Sequence, residues 1–283
     1  DLYLKGVFMG IAEIIPGVSG GTIAFITGIY EELINSIKSI NTNTLKLLVT
    51  FKFSAFWRAV NGTFLITLIF GMLTSILVLS RFIVYLLDDH PFKIWGFFFG
   101  LIIASGILIS YQIQKIGISV LLSFVIGLSI ASYIALQAPS ITPNTNFFIF
   151  LSGAIAISAM ILPGISGSFI LVFLSKYEFI LKALNSFDTA VISIFLAGCI
   201  VGLVTFSRVF SYLFKKYSDV VVSALIGFLG GSLFKIWPFY EVLEYNSSNE
   251  PIYTTPILPT ANQSNDLIFF FTFVVIGFIS MWV

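Results

Sequence analysis

Charge is what this chain has least of. Asp, Glu, Lys and Arg together make up 10% of its 283 residues, while 58% are hydrophobic. A soluble globular domain carries roughly 25% charged residues, so the balance excludes a sizeable soluble domain and leaves an integral membrane protein. Cysteine occurs once, at Cys199 in an apolar run. That excludes an internal disulfide, and the residue reads as small core material. There is a single histidine, His90, in a short turn that reads as solvated. No metal-ligand spacing, dinucleotide loop or nucleotide-binding loop occurs, so no cofactor is expected. The net charge of +1 gives no reason to expect nucleic acid as a partner. The chain opens at Asp1 and closes at Trp282-Val283; both ends read as trimmed, with no signal peptide.

What the chain does have is one motif written twice. Pro16-Gly17-Val18-Ser19-Gly20-Gly21 recurs as Pro163-Gly164-Ile165-Ser166-Gly167-Ser168, each inside a long apolar stretch. Fourteen positions after each proline comes a Tyr-Glu pair, Tyr30-Glu31 and Tyr177-Glu178. Proline and glycine interrupt helices, and interrupted backbone survives at membrane depth only where protein or a water-filled cavity covers it. Two such interruptions at matching places of two halves point to a binding site.

Runs long enough to span a bilayer fall at about 63–87, 92–112, 117–137, 189–214, 219–237 and 267–283. The arms around the motifs, 2–15 with 19–39 and 146–161 with 166–185, include pieces too short to cross a core of roughly 30 Å. Each motif is therefore expected at the tip of a re-entrant hairpin. Pro16 and Tyr30 match Pro163 and Tyr177 at an offset of 147. Gly71, Ser80-Arg81, Tyr85, Gly100 and Ser105 match Gly198, Ser207-Arg208, Tyr212, Gly227 and Ser232 at 127; Ile126-Gly127 matches Ile276-Gly277 at 150. The expected fold is an all-α membrane protein of two inverted-topology repeats, 1–137 and 146–283. Each repeat holds one hairpin (2–39 or 146–185) and three spans, in one structural unit.

Three spans per half is an odd number, so the halves should run in opposite senses. With a cytoplasmic amino terminus, Lys5, Lys38, Lys46, Lys52, Arg58, Lys115, Lys215 and Lys216 fall inside. Outside fall Lys93, Lys176, Lys182 and Lys235, with Asp88, Asp89, Glu241, Glu244 and Glu250. That bias fits the positive-inside rule. Residues 238–266 become an external loop, read as a connector rather than a lid. Lys38, Lys46, Lys52 and Arg58 around Phe51, Phe53, Phe56 and Trp57 read as a helix on the anionic membrane surface or a plain connector.

Opposed tips would aim helix amino termini at the interior from both faces, an arrangement suited to an anion. The candidate set is Gly17, Ser19, Gly20, Gly21 and Thr22 in the first tip, and Gly164, Ser166, Gly167 and Ser168 in the second. A capped helix break needs no ligand; duplication is what favours the anion.

At these residues the chain also resembles a known family. The stretch from Gly10 through Glu13 and Pro16-Gly17 to Gly28, Tyr30 and Glu31 closely resembles the first signature of the bacterial polyprenyl-phosphate transporters. Ala159 through Pro163-Gly164-Ile165-Ser166-Gly167-Ser168 to Leu171 resembles the second. The resemblance implies translocation (flipping) of undecaprenyl phosphate across the bacterial cytoplasmic membrane, which recycles the lipid carrier of cell-wall biogenesis. The partners are then the lipid substrate and membrane lipids, and the protein is not an enzyme. The first signature also distantly resembles undecaprenyl-pyrophosphate phosphatases, but Ile165-Ser166-Gly167-Ser168 lacks their arginine, and Glu13 is the only acid at the tip. That enzyme and a carrier of a small soluble anion remain the alternatives.

Ionisable residues at membrane depth are functional candidates by default. Glu13, matched by Met160, is expected to carry or sense a coupling proton, unless its carboxylate merely caps tip amides. Arg81 and Arg208 would meet the phosphate on approach, unless they only snorkel to the interface. The topology predicts crossed gating pairs, Arg81 with Glu178 and Arg208 with Glu31.

Overall fold

The computed structural model describes all residues except 15–18, 138–141, 246–250, 261–262 and 283. The chain is mostly helical, with fourteen helices among the described residues. In chain order they begin α1 (Leu2–Ile14), α2 (Gly20–Ile26), α3 (Tyr30–Ser39), α4 (Thr42–Val49), α5 (Phe53–Ala59), α6 (Gly62–Asp89), α7 (Pro91–Ser110) and α8 (Ile118–Leu136). Then come α9 (Asn146–Ile161), α10 (Gly167–Phe173), α11 (Tyr177–Asn185), α12 (Thr189–Lys216), α13 (Ser218–Ile236) and α14 (Ser264–Ser280). Five of these, α6, α7, α8, α12 and α13, are long and apolar enough to cross a membrane, which makes this a multi-pass membrane protein. Helices also occupy the sixth expected span and both arms of each motif.

Two features depart from a purely helical expectation. Between α13 and α14, β1 (Tyr240–Tyr245) pairs antiparallel with β2 (Pro251–Pro256), Tyr240 opposite Pro256, with register irregularities after Val242. The stretch reads as a connector for its Pro, Asn and Ser, yet its aromatic and β-branched residues favour an extended ladder. Trp237 and Ile257 tie the hairpin to the bundle through an indole N–H donated to a carbonyl at 3.0 Å. Each outgoing arm, moreover, is two short helices rather than one. Gly28 (φ +73°) and Ser175 (φ +53°) sit at the breaks, again 147 positions apart. The Thr27 carbonyl freed by the first break accepts from Lys5 Nζ at 2.8 Å, and the matching Leu174 carbonyl accepts from the Thr142 hydroxyl at 2.6 Å.

The sequence offsets return as packing offsets. A Cβ on Gly71 would strike the Tyr3 carbonyl, and one on its match Gly198 would strike that of Phe150, the match of Tyr3. Gly100 meets Val274 and Phe278, and Gly227 meets Phe124 and Leu128, at the same spacing. Helix pairs α1–α6, α9–α12, α7–α14 and α8–α13 are therefore packed backbone to backbone through small residues, the usual solution where lipid supplies no hydrophobic drive. Between α7 and α13 and beneath α2 and α3 lies the main core, which includes Ile102, Leu225, Leu229 and Ile34.

Candidate functional site

The two motifs meet. Thr22, in the first turn of α2, is fully buried, and its hydroxyl accepts the Gly164 N–H at 2.9 Å. The Ser19 hydroxyl, also fully buried, faces the Met160 and Leu162 carbonyls at 3.4 Å each. Gly21 lies so close to the Ile161 carbonyl that any side chain would collide with it, so its small size lets the tips touch. Gly164 takes φ +85°, the left-handed region that favours glycine, beside Ser232 on α13. Gly17, like Pro16, lies outside the described residues.

The two tips differ in what faces their first amide. In the first, Glu13 Oε1 accepts the Gly20 N–H at 2.7 Å. Its match Met160 stands beside Gly167 in the second, its Cβ 3.2 Å from where a Gly167 side chain would begin. Ser166 is buried, Ser168 exposed, and their hydroxyls share a hydrogen bond of 2.7 Å. Phe169 follows Ser168 in α10, and the Lys235 ammonium, from the last turn of α13, lies 4.3 Å from the centre of its ring. Nothing in the sequence reading singled out Lys235 beyond its side of the membrane; its match is Leu108, and a lysine where the other half has leucine was the available signal.

Other expectations land elsewhere. Arg81 and Arg208 are exposed on α6 and α12, each eight positions before its helix ends. Among the described residues neither forms an ion pair or a side-chain hydrogen bond, so the crossed gating pairs are not formed. Glu178 instead pairs with Lys182, one turn on in α11, at 3.5 Å. Glu31 is exposed at an open cleft of about 520 Å³ shared with Glu32, Asn35, Ser36 and Asn61. Charge sidedness bears on which side of a membrane a residue falls, not on the direction in which its helix turns it. Lys176, expected among external basic residues, is fully buried, donating to the Thr142 carbonyl at 2.6 Å and to Asn144 Oδ1 at 2.7 Å. His90 is half-buried rather than solvated, and lines an apolar cavity with Lys93.

The chain is thus a multi-pass membrane protein whose interrupted helices meet at their polar tips. Comparison with known proteins adds the family. Residues 9–252 match the family described as undecaprenyl phosphate translocase-like, and the chain belongs to that family. It is 46% identical over 252 residues to a polyprenyl-phosphate transporter of Vibrio cholerae, covering 88% of this chain and 82% of that protein. It is 34% identical over 253 residues to a polyprenyl-phosphate transporter of Staphylococcus aureus, covering 83% and 85%. No solved structure matches it.

Proposed function

We propose that this protein moves a polyprenyl phosphate, with undecaprenyl phosphate as the intended substrate, between the leaflets of the bacterial cytoplasmic membrane. That step recycles the lipid carrier of cell-wall polymers, and the protein acts as a transporter rather than an enzyme. The observation that carries the reading is the meeting of the two tips through Thr22, Ser19 and Gly164, within a chain of this family. A head group passing between leaflets needs polar partners at membrane depth, whereas its isoprenoid tail can stay in lipid. Ser166, Ser168 and the ammonium of Lys235 supply hydroxyls and a positive charge there.

Opposed entry of the hairpins rests on a chain of neighbours. Helix α1 runs parallel to α6, with Tyr3 by Gly71 and Gly10 by Ser75, and α9 runs parallel to α12, with Phe150 by Gly198 and Ala154 by Gly202. The Asp219 carboxylate at the start of α13 accepts the Gln114 and Lys115 amides just before α8. Following the turns at His90, 111–117 and Tyr217, α6 and α12 then start at opposite ends of the bundle, and so do the hairpins. The distribution of lysine and arginine supports a cytoplasmic amino terminus.

Glu13 is the proton-sensing residue in this account. As a carboxylate it holds the Gly20 amide that an incoming phosphate would also seek; protonation weakens that hold. Reconstitution in liposomes with labelled polyprenyl phosphate tests the function directly. Protein-dependent leaflet exchange that inorganic phosphate fails to compete supports the lipid substrate. Uptake of inorganic phosphate instead would favour a small-anion carrier, and release of phosphate from undecaprenyl pyrophosphate would favour the phosphatase.

A further inference from the structure

Between the pair α1–α6 and the pair α7–α14 lies a cavity of about 630 Å³, within the range of small-molecule sites. Its wall is almost wholly apolar and includes Ile23 on α2, Ile83 on α6, Leu101 on α7 and Phe273 on α14. Ile23 follows Thr22 directly, so the cavity borders the helix that leads out of the first tip. At its other end stand His90 and Lys93. The Lys93 ammonium lies 5.3 Å from the centre of the Phe269 ring, and among the described residues no carboxylate pairs with it.

At two matching positions the other half carries larger side chains. The match of Ile83 is Phe210, and the match of Leu101 is Phe228. Phe210 is buried against Tyr30, Phe206 and Phe214. His90 and Lys93 are matched by Tyr217 and Val220, which carry no charge. The first half thus keeps an apolar chamber that ends at His90 and Lys93, where the matching positions of the second half are Tyr217 and Val220. That combination is complementary to an amphipathic anion with a long hydrocarbon tail.

We propose that this cavity is the tail-binding site of an isoprenoid phosphate lipid, with Lys93 and His90 holding its phosphate before the head group moves to the tips. This rests on the transport reading above. The seam suits the role, because glycines lock each helix pair together while larger side chains face the cavity between the pairs.

The test is photocrosslinking of a polyprenyl phosphate carrying a diazirine in its tail to the full chain in liposomes, with leaflet exchange measured on the same samples. Labelling of peptides from α6, α7 and α14, reduced about tenfold in Ile83→Phe (a loss equal to 1.4 kcal/mol), supports the site. Leu101→Phe serves if Ile83→Phe fails to fold, since the matching half accommodates phenylalanine at both places. Lys93→Gln should weaken labelling by the phosphate and leave labelling by the uncharged polyprenol unchanged. Intact exchange with labelling outside these helices overturns the cavity site while leaving transport standing. Equal competition by phosphatidylglycerol also overturns it, as a general lipid groove. Absence of exchange in the unsubstituted protein removes the transport reading and this site with it.

Discussion

Tyr30 and Tyr177 occupy the same position in the two hairpins, yet the first is 2% exposed and the second 40%. The Tyr30 ring is flanked edge-on by Phe25 at 5.3 Å and by Phe210 of the other half at 5.6 Å. Lys38 and Asn35 on the same arm reach Ser211 on α12, at 3.0 and 3.1 Å. Among the described residues Tyr177 has no such aromatic neighbours, and Glu178 beside it pairs within its own helix. A shared sequence pattern thus gives one hairpin docked onto the opposite half and one more exposed. The difference comes from the surroundings, chiefly Phe206, Phe210 and Phe214 facing the first hairpin.

Substitutions can break that comparison. Tyr30→Ala removes the docked ring and should destabilise by about 3–5 kcal/mol, the usual cost of truncating a buried aromatic. Tyr177→Ala should cost below about 1 kcal/mol, as exposed positions do. Thermal unfolding in detergent reads both, and equal losses would contradict the asymmetry. Thr22→Val leaves the Gly164 N–H without its partner and should cost about 1–3 kcal/mol, whereas Ser168→Ala at the exposed second tip should cost less. Tyr30→Phe carries the smallest effect and the opposite sign. The buried Tyr30 hydroxyl has no hydrogen-bond partner among the described residues, so removing it should leave stability equal or slightly raised.

Glu13→Gln tests the other difference between the tips. In the unsubstituted protein exchange should rise on acidification, as the protonated carboxyl loosens its hold on the Gly20 amide. In Glu13→Gln the dependence should flatten, with unfolding little changed. A pH profile that survives the substitution would assign Glu13 to capping alone.

Most of the helical framework was readable from the chain. Helix ends fall within three residues of the expected spans because apolar length sets them. The offsets of 147, 127 and 150 proved to be packing offsets because glycines mark where backbones touch. Less was readable where the outcome depends on direction around a helix. Arg81 and Arg208 are exposed and unpaired with the named glutamates, and Lys176 is buried against oxygens brought from before α9, neither of which a count of charges on each side conveys. The break at Thr27-Gly28 left a glycine as its signal, but its match Ser175 left none. The strand pair at 240–256 was hidden by flanking prolines and asparagines despite its aromatic and β-branched residues.

The central claim is that the joined tips handle a lipid phosphate. Leaflet exchange of labelled polyprenyl phosphate in liposomes, compared between the unsubstituted protein and Ser166→Ala/Ser168→Ala/Lys235→Gln of equal thermal stability, tests it most directly. The account predicts protein-dependent exchange that falls at least about tenfold in the triple variant, as loss of a charged partner implies. Undiminished exchange in the triple variant would contradict it.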